Sequence, residues 1–172
     1  MGIKTEGPAV EKHPLQEIAR AFILEHHVMT LATSGDGLAW AAPLYYLYRD
    51  LSFYFFSQPT ARHIREALET EQAAAAIHAA SSGWQDIRGL QMSGSVAAVL
   101  SGEEAVRVFN VYCQRFPFVR EFFTVEEALD VKSFLKRFQV RIYRFSPRLV
   151  YYLDNGIRFG FRERVHGLEL VA

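Results

Sequence analysis

Residues 87–100 alternate with a period of two. Leu90, Met92, Val96, Ala98 and Leu100 fall on one side, and Gln91, Ser93 and Ser95 on the other. A strand with this pattern rests one wall on a core and turns the other toward something polar, which is the habit of antiparallel sheets. Further strands are expected around it. Val28 to Thr33 is apolar and β-branched, Gly35-Asp36-Gly37 supplies a tight turn, and Leu38 to Tyr48 is long and aromatic. Ser52 to Phe56, Gln72 to Ala79, the alternating Phe138, Val140 and Ile142, and a last hairpin of Leu149–Leu153 and 157–165 around Asp154-Asn155-Gly156 complete the strand set.

Helices are expected between them. Leu15, Ile18, Ala19, Phe22 and Ile23 follow Pro14 at helical spacing, with the proline suited to a first turn. Thr60 is expected to cap a short helix carrying Ile64, Ala67 and Leu68, and Ser101-Gly102-Glu103-Glu104 reads as a capping box for a helix reaching Phe116. The spacing also predicts a connecting helix over 121–137. Strands joined mostly by hairpins usually close on themselves to remove their edges, so a small antiparallel barrel with helices packed outside is expected.

Composition narrows the function classes. A chain of 172 residues supports one core, so a single domain over 13–172 preceded by a polar arm at 1–12 is expected. Lys and Arg balance Asp and Glu at 19 each, which leaves no summed field to hold a polyanion and argues against general nucleic-acid binding. Cys113, the lone cysteine, cannot form an internal disulfide and falls on an apolar helical stripe as a small buried hydrophobe. The start Met-Gly-Ile-Lys-Thr-Glu-Gly-Pro lacks a secretory apolar stretch, and no window approaches the roughly 20 apolar residues of a membrane span. A cytoplasmic protein is the expectation.

The most informative conflict lies in Ser57-Gln-Pro-Thr-Ala-Arg-His63. A helix start favours acids, yet Arg62 and His63 stand there. Either both point into water at little cost, or they meet an anion: free N–H groups, the hydroxyls of Ser57 and Thr60 and the Arg62 guanidinium make a phosphate cradle. Pro43 inside a strand marks an edge, a bulge or a backbone stretch facing a ligand. Gln91, on the polar face of its strand, is either solvated or donates and accepts toward a heteroaromatic ring. The adjacent His26 and His27 point apart on a helix, and no zinc-site spacing accompanies them, so no metal site is expected. Gly-x-Ser-x-Gly, Walker and Gly-x-Gly-x-x-Gly motifs are absent from the sequence. Arg158, Arg162 and Arg164 share a strand face, solvated or facing acids on a partner.

Taken in order, these stretches resemble the flavin-mononucleotide-binding split-barrel family typified by pyridoxamine 5′-phosphate oxidase. Val28 to Thr33 with Gly35-Asp36-Gly37 and the Pro43 strand resembles its opening hairpin. Phe55-Phe56-Ser57 through Ala61-Arg62-His63 resembles its strand-to-helix phosphate motif, and Gly89-Leu90-Gln91-Met92-Ser93-Gly94 the strand that follows. The likeness spans about residues 15–153 in order and spacing. It implies a mainly β, α+β fold: an antiparallel Greek-key split β-barrel with peripheral helices. It also implies a two-fold homodimer holding flavin mononucleotide non-covalently in clefts between subunits. Ser57, Arg62 and His63 would take the flavin phosphate with Thr60 nearby, Ala42, Pro43, Leu44 and Tyr45 would run beside the isoalloxazine, and Gln91 would touch the flavin. No side chain is nominated as catalytic.

Two departures stand out. His63 occupies the place of a family lysine, which implies flavin retention that weakens above the histidine's pKa. The Trp and Arg-rich C-terminal segment with which pyridoxamine phosphate oxidases hold their substrate lacks a clear counterpart in 162–172. With Tyr151 to Gly160 and Arg115-Phe116-Pro117, the chain looks like a small bacterial branch of the family. The expected activity is therefore reduction of a small molecule by NAD(P)H through the flavin. Related split barrels carrying deazaflavin or haem, and a flavin-binding or interaction module without turnover, are the alternatives.

Overall fold

The computed structural model describes residues 15–124, 127 and 129–168, so the expected N-terminal arm lies outside the described residues. Helix α1 (Leu15–Glu25) buries Ala19, Phe22 and Ile23 of the stripe read from its spacing, while Leu15 is half-buried and Ile18 is exposed. Strands β1 (Val28–Gly35) and β2 (Leu38–Tyr45) form the first hairpin. Asp36 and Gly37, at φ 51° and 73°, make a two-residue turn whose twist matches the strands it joins.

The aromatic stretch 38–48 is not one strand. It breaks at Tyr46 into β2 and β3 (Leu47–Arg49), and β3 pairs with β4 (Ser52–Ser57) instead of β1. Tyr46 is buried at the bend, where its hydroxyl donates to the Ile23 carbonyl at 2.7 Å, so α1 holds the corner. After α2 (Arg62–Thr70) come β5 (Ala73–His78) and β6 (Arg88–Ala98). Leu100 lies beyond the strand and is exposed, because the chain has already turned toward the next helix.

Half of the expected capping box forms: Ser101 Oγ accepts from Glu104 N at the start of α3 (Gly102–Arg115), while the Glu104 carboxylate turns away to accept from Tyr54 and Arg144. The helix expected over 121–137 does not. Pro117–Phe122 is a 3₁₀ segment, and α4 (Val131–Phe138) starts only where Asp130 accepts from Ser133 N at 2.9 Å. A proline-opened short segment and a new cap favour two pieces over one. Phe138 thus ends a helix, and the expected strands on either side of Pro147 merge into one, β7 (Arg141–Asp154). The first arm of the expected last hairpin is the end of β7, and of its second arm, 157–165, only β8 (Arg162–Arg164) is strand, with Arg158 in the preceding turn.

The sheet order is β2-β1-β5-β6-β7-β4-β3, with β8 added to β7, and the neighbours are antiparallel. Its two ends are one continuous chain through Tyr46, so the sheet curls into a split barrel with helices outside it. Met29, Leu31, Phe53, Phe55, Ile77, Leu90, Phe145 and Tyr152 fill the interior. A second core lies outside β4 and β7, where Tyr54 and Ile142 meet Val108, Phe109 and Phe134 of α3 and α4. Cys113 packs against this second core, and burial pushes its thiol pKa up.

Candidate functional site

At the barrel end covered by α2, the chain leaves β4 at Ser57 and turns through Gln58-Pro59-Thr60-Ala61, closed by Ala61 N donating to Gln58 O at 3.0 Å. Thr60 is not the cap of α2. The turn moves the helix start to Arg62 and leaves Ala61 in the N-cap position, with no side chain capping it. Ile64 N and Arg65 N both donate to Ala61 O, whereas the amides of Arg62 and His63 donate to no described residue. Without a capping side chain or an acid in the first turn, this start combines open N–H donors with the positive end of the helix dipole.

Ser57 and His63 meet below it: Ser57 Oγ and His63 Nε2 share a 2.8 Å hydrogen bond, and both residues are buried. Burial lowers the pKa of His63, and the Glu66 carboxylate raises it in part. The imidazole is therefore held toward its neutral form. Arg62 behaves differently. Its Nε donates to Glu66 Oε1 at 2.6 Å, and Trp40 lies under its guanidinium, with Cζ 4.9 Å from the ring centroid. Glu66 Oε2 in turn accepts from Thr33 Oγ1 at 2.6 Å. The Thr33 hydroxyl and then Arg62 hold the Glu66 carboxyl below the usual carboxylate range.

Sequence reasoning missed Glu66, Thr33 and Trp40. The Arg62-x-x-x-Glu66 spacing carried a signal for an i, i+4 pair, whereas Thr33 and Trp40 reach the cluster only because they pair across the first hairpin.

The ring-facing candidates lie elsewhere. Pro43 pairs with Thr30, Thr30 with Ala76, Ala76 with Gln91 and Gln91 with Tyr151, so one row crosses the outer face of the sheet. The next row is Ala41, Ala32, Ala74, Ser93 and Leu149. Thr30, Ala32, Ala74 and Ala76 make a small-residue platform bordered by Pro43 on the edge strand and by Gln91, and these two rows carry no charged side chain. Strands about 4.8 Å apart put Pro43 roughly 14 Å from Gln91 along the sheet. One chain therefore does not bring these two residues together. Ala42 is buried, Leu44 packs on the interior core, and Tyr45 stands against Phe116 and Phe118.

Between Ser93 and Gly94 the register with β7 slips: Ser93 faces Leu149 and Gly94 faces Pro147, so Arg148 is the extra residue of a bulge. A cavity of about 420 Å³ opens there, lined in part by Ala32, Ala74, Ser93 and Arg148. A bulge next to a cavity is a common way to re-aim one side chain.

The two histidines after α1 have structural partners. His26 Nδ1 lies 2.8 Å from Phe22 O with its ring stacked on Phe22, and His27 meets Arg115, which also donates to Leu24 O. Among the described residues no three or more His, Cys, Asp or Glu gather as metal ligands, and no helix is long and apolar enough to cross a membrane.

The curled antiparallel sheet, its two ends joined at Tyr46 and its helices outside, defines a split barrel of the pyridoxamine 5′-phosphate oxidase type. Residues 15–138 match the pyridoxamine 5′-phosphate oxidase family model, and the chain belongs to that family. A UPF0306 protein of Klebsiella pneumoniae (strain 342) is 31% identical over 101 residues, 58% of this chain and 68% of that one. A putative pyridoxamine 5′-phosphate oxidase from Listeria innocua superposes with a TM-score of 0.61 at 15% identity, covering 81% of this chain and 98% of that one. The haem storage protein HutZ of Vibrio cholerae gives 0.63 at 14% identity, covering 79% and 92%. A FAD-binding protein of Mesorhizobium loti gives 0.59 at 16% identity, covering 78% and 90%. At these identities the structural likenesses establish the fold alone.

Proposed function

We propose that the protein binds flavin mononucleotide and reduces a small molecule with electrons from NAD(P)H. The observation that carries this reading is the start of α2: an uncapped, acid-free helix end with two open amides, the open Nη groups of Arg62, and Ser57 and His63 beside them. These donors fit a terminal phosphate, since charge-assisted contacts from a guanidinium and backbone N–H groups are the usual way a phosphate is held. Thr60, exposed in the turn before Ala61, is the nearest further hydroxyl. A flat isoalloxazine suits the platform of Thr30, Ala32, Ala74 and Ala76, with the Pro43 to Tyr45 backbone at one border and Gln91 donating or accepting at the other.

Bound flavin supplies the hydride chemistry, so the chain's own work is to orient the ring and keep water from it. The cavity beside Ser93, with Arg148 at its wall, offers room for a second reactant. The separation of Pro43 from Gln91 supports a homodimer in which a second copy brings the other half of the site. The absence of charge from the two platform rows supports a covered face.

The test is direct. Freshly purified protein, or apoprotein given flavin mononucleotide, should show a yellow two-band spectrum that NADH or NADPH bleaches without oxygen at a catalytic rate. A colourless protein that takes up no added flavin refutes the reading, and persistent yellow in the presence of both nucleotides makes it a binder. The fold likeness to HutZ favours a second reading, haem as the cargo, which a sharp Soret band after haem addition would support.

A further inference from the structure

Two groups close off the Arg62 guanidinium. Glu66 takes its Nε–H at 2.6 Å, and Trp40 covers one face at 4.9 Å, while its Nη groups bond to no described residue. Glu66 is itself fixed from another element, because its second oxygen accepts from the Thr33 hydroxyl of β1 at 2.6 Å. Room for the carboxylate is built into the hairpin: a Cβ on Gly35 would stand 2.8 Å from Glu66 Cγ. The Glu66 side chain is 10% exposed, although an i, i+4 ion pair on a helix needs no burial. A group so enclosed and so anchored fixes direction, because an arginine held through Nε presents its remaining N–H groups along one edge.

We propose that Glu66 is the positioning residue of the phosphate cradle: by gripping Arg62 through Nε, with Thr33 as its anchor, it reserves the Nη edge for a terminal phosphate. It thereby sets the preference for a phosphorylated flavin over the same flavin without phosphate. This rests on the flavin reading given above. Glu66 touches no ligand itself and acts through Arg62. Because its charge offsets that of Arg62, and burial shifts His63 toward its neutral form before a ligand binds, the direction of the Arg62 donors adds to what net positive charge alone would give.

Binding of flavin mononucleotide and of riboflavin, followed by flavin fluorescence, tests this in the parent, Glu66→Ala and Glu66→Gln. Glu66→Ala should lower the preference for the phosphorylated flavin about tenfold, the scale on which loss of an orienting partner acts. Glu66→Gln should keep most of it, since the amide oxygen can still accept from Arg62 and the amide nitrogen can donate to Thr33. Unchanged preference in Glu66→Ala, or equal loss in both variants, overturns the proposal. A structural role alone would weaken both flavins together.

If Glu66→Ala fails to fold, Thr33→Val, which removes the anchor and keeps the β-branched shape, should lower the same preference. An unchanged ratio there counts against the proposal. A parent that binds neither flavin refutes the flavin reading and leaves Glu66 testable on apoprotein. The Arg62 Nε–H resonance should then shift on titration with inorganic phosphate in the parent and in Glu66→Gln but not in Glu66→Ala. The same shift in Glu66→Ala overturns it.

Discussion

Ser57 Oγ and His63 Nε2 stand 2.8 Å apart in a buried pair that ties the end of β4 to the first turn of α2. Burial depresses the pKa of His63 below 6.5, so the native state binds its proton less readily than the unfolded chain does. This contribution to stability is present above pH 6.5 and is lost as the pH falls toward the folded value. Thermal unfolding of apoprotein from pH 7.5 to 5 should show a decline in Tm that is shallower in His63→Gln. Parallel curves would show that the pair carries no such linkage.

The same residue should act in the opposite sense on the ligand. A phosphate dianion beside His63 favours the imidazolium, so affinity for flavin mononucleotide should fall as the pH rises from 6 to 8, and riboflavin affinity should not. Equal slopes for the two flavins, measured by equilibrium binding, would place His63 away from the phosphate.

Removing both side chains is the stronger perturbation. Arg62→Ala combined with His63→Ala should cost on the order of 3 kcal/mol of binding to flavin mononucleotide, roughly a hundredfold in Kd, through lost charge-assisted contacts. Riboflavin binding should change little. Parent-like affinity for the phosphorylated flavin in the double variant would remove the cradle.

The outer platform makes a separate prediction. Ala74 is exposed at its centre between Ala32 and Ser93, so Ala74→Arg adds charge without touching the core. If the proposed dimer uses this face, the variant should stay folded by circular dichroism and sediment as a monomer where the parent sediments as a dimer. A variant dimer as tight as the parent's would mean that this face is not the interface.

Gly94 tests the bulge. A Cβ there would collide with the Ser146 carbonyl oxygen, which is backbone and cannot swing aside. Gly94→Ala should therefore destabilise by about 3 kcal/mol, and a chain of this size should lose roughly 6–12 °C in Tm. A loss under about 2 °C would show that β6 and β7 tolerate a wider spacing.

Much of the fold was legible because β6 alternates in sequence, β5 is an apolar run between turn signals, and the first hairpin carries a Gly-Asp-Gly turn, two of whose residues take positive φ. The break at Tyr46 was not legible. The apolar and aromatic run continues unbroken across it, and only the partner strands change, which is a long-range fact. The segment 121–137 is rich in helix formers, yet the end of the 3₁₀ segment and the cap at Asp130 divide it. At the site, the conflict of charges at Arg62 and His63 located the right turn. The pattern then assigned the cap to Thr60, because hydroxyls cap well in general, and did not anticipate the Gln58 to Ala61 turn that displaces it. Glu66 was readable as a partner four residues on, while its burial depended on Thr33 and Gly35 arriving from a different strand.

The junction at Tyr46 has a topological corollary. Because the first and last members of the hydrogen-bonded path, β2 and β3, follow one another directly along the chain, the ring of strands is held shut there by peptide bonds and by the corner's packing. Cutting the chain between Tyr45 and Leu47 would leave the ladders of the path in place while freeing the curl to unroll. A circular permutant opened at this corner would therefore report how much of the closed shape belongs to the sheet and how much to the single covalent latch.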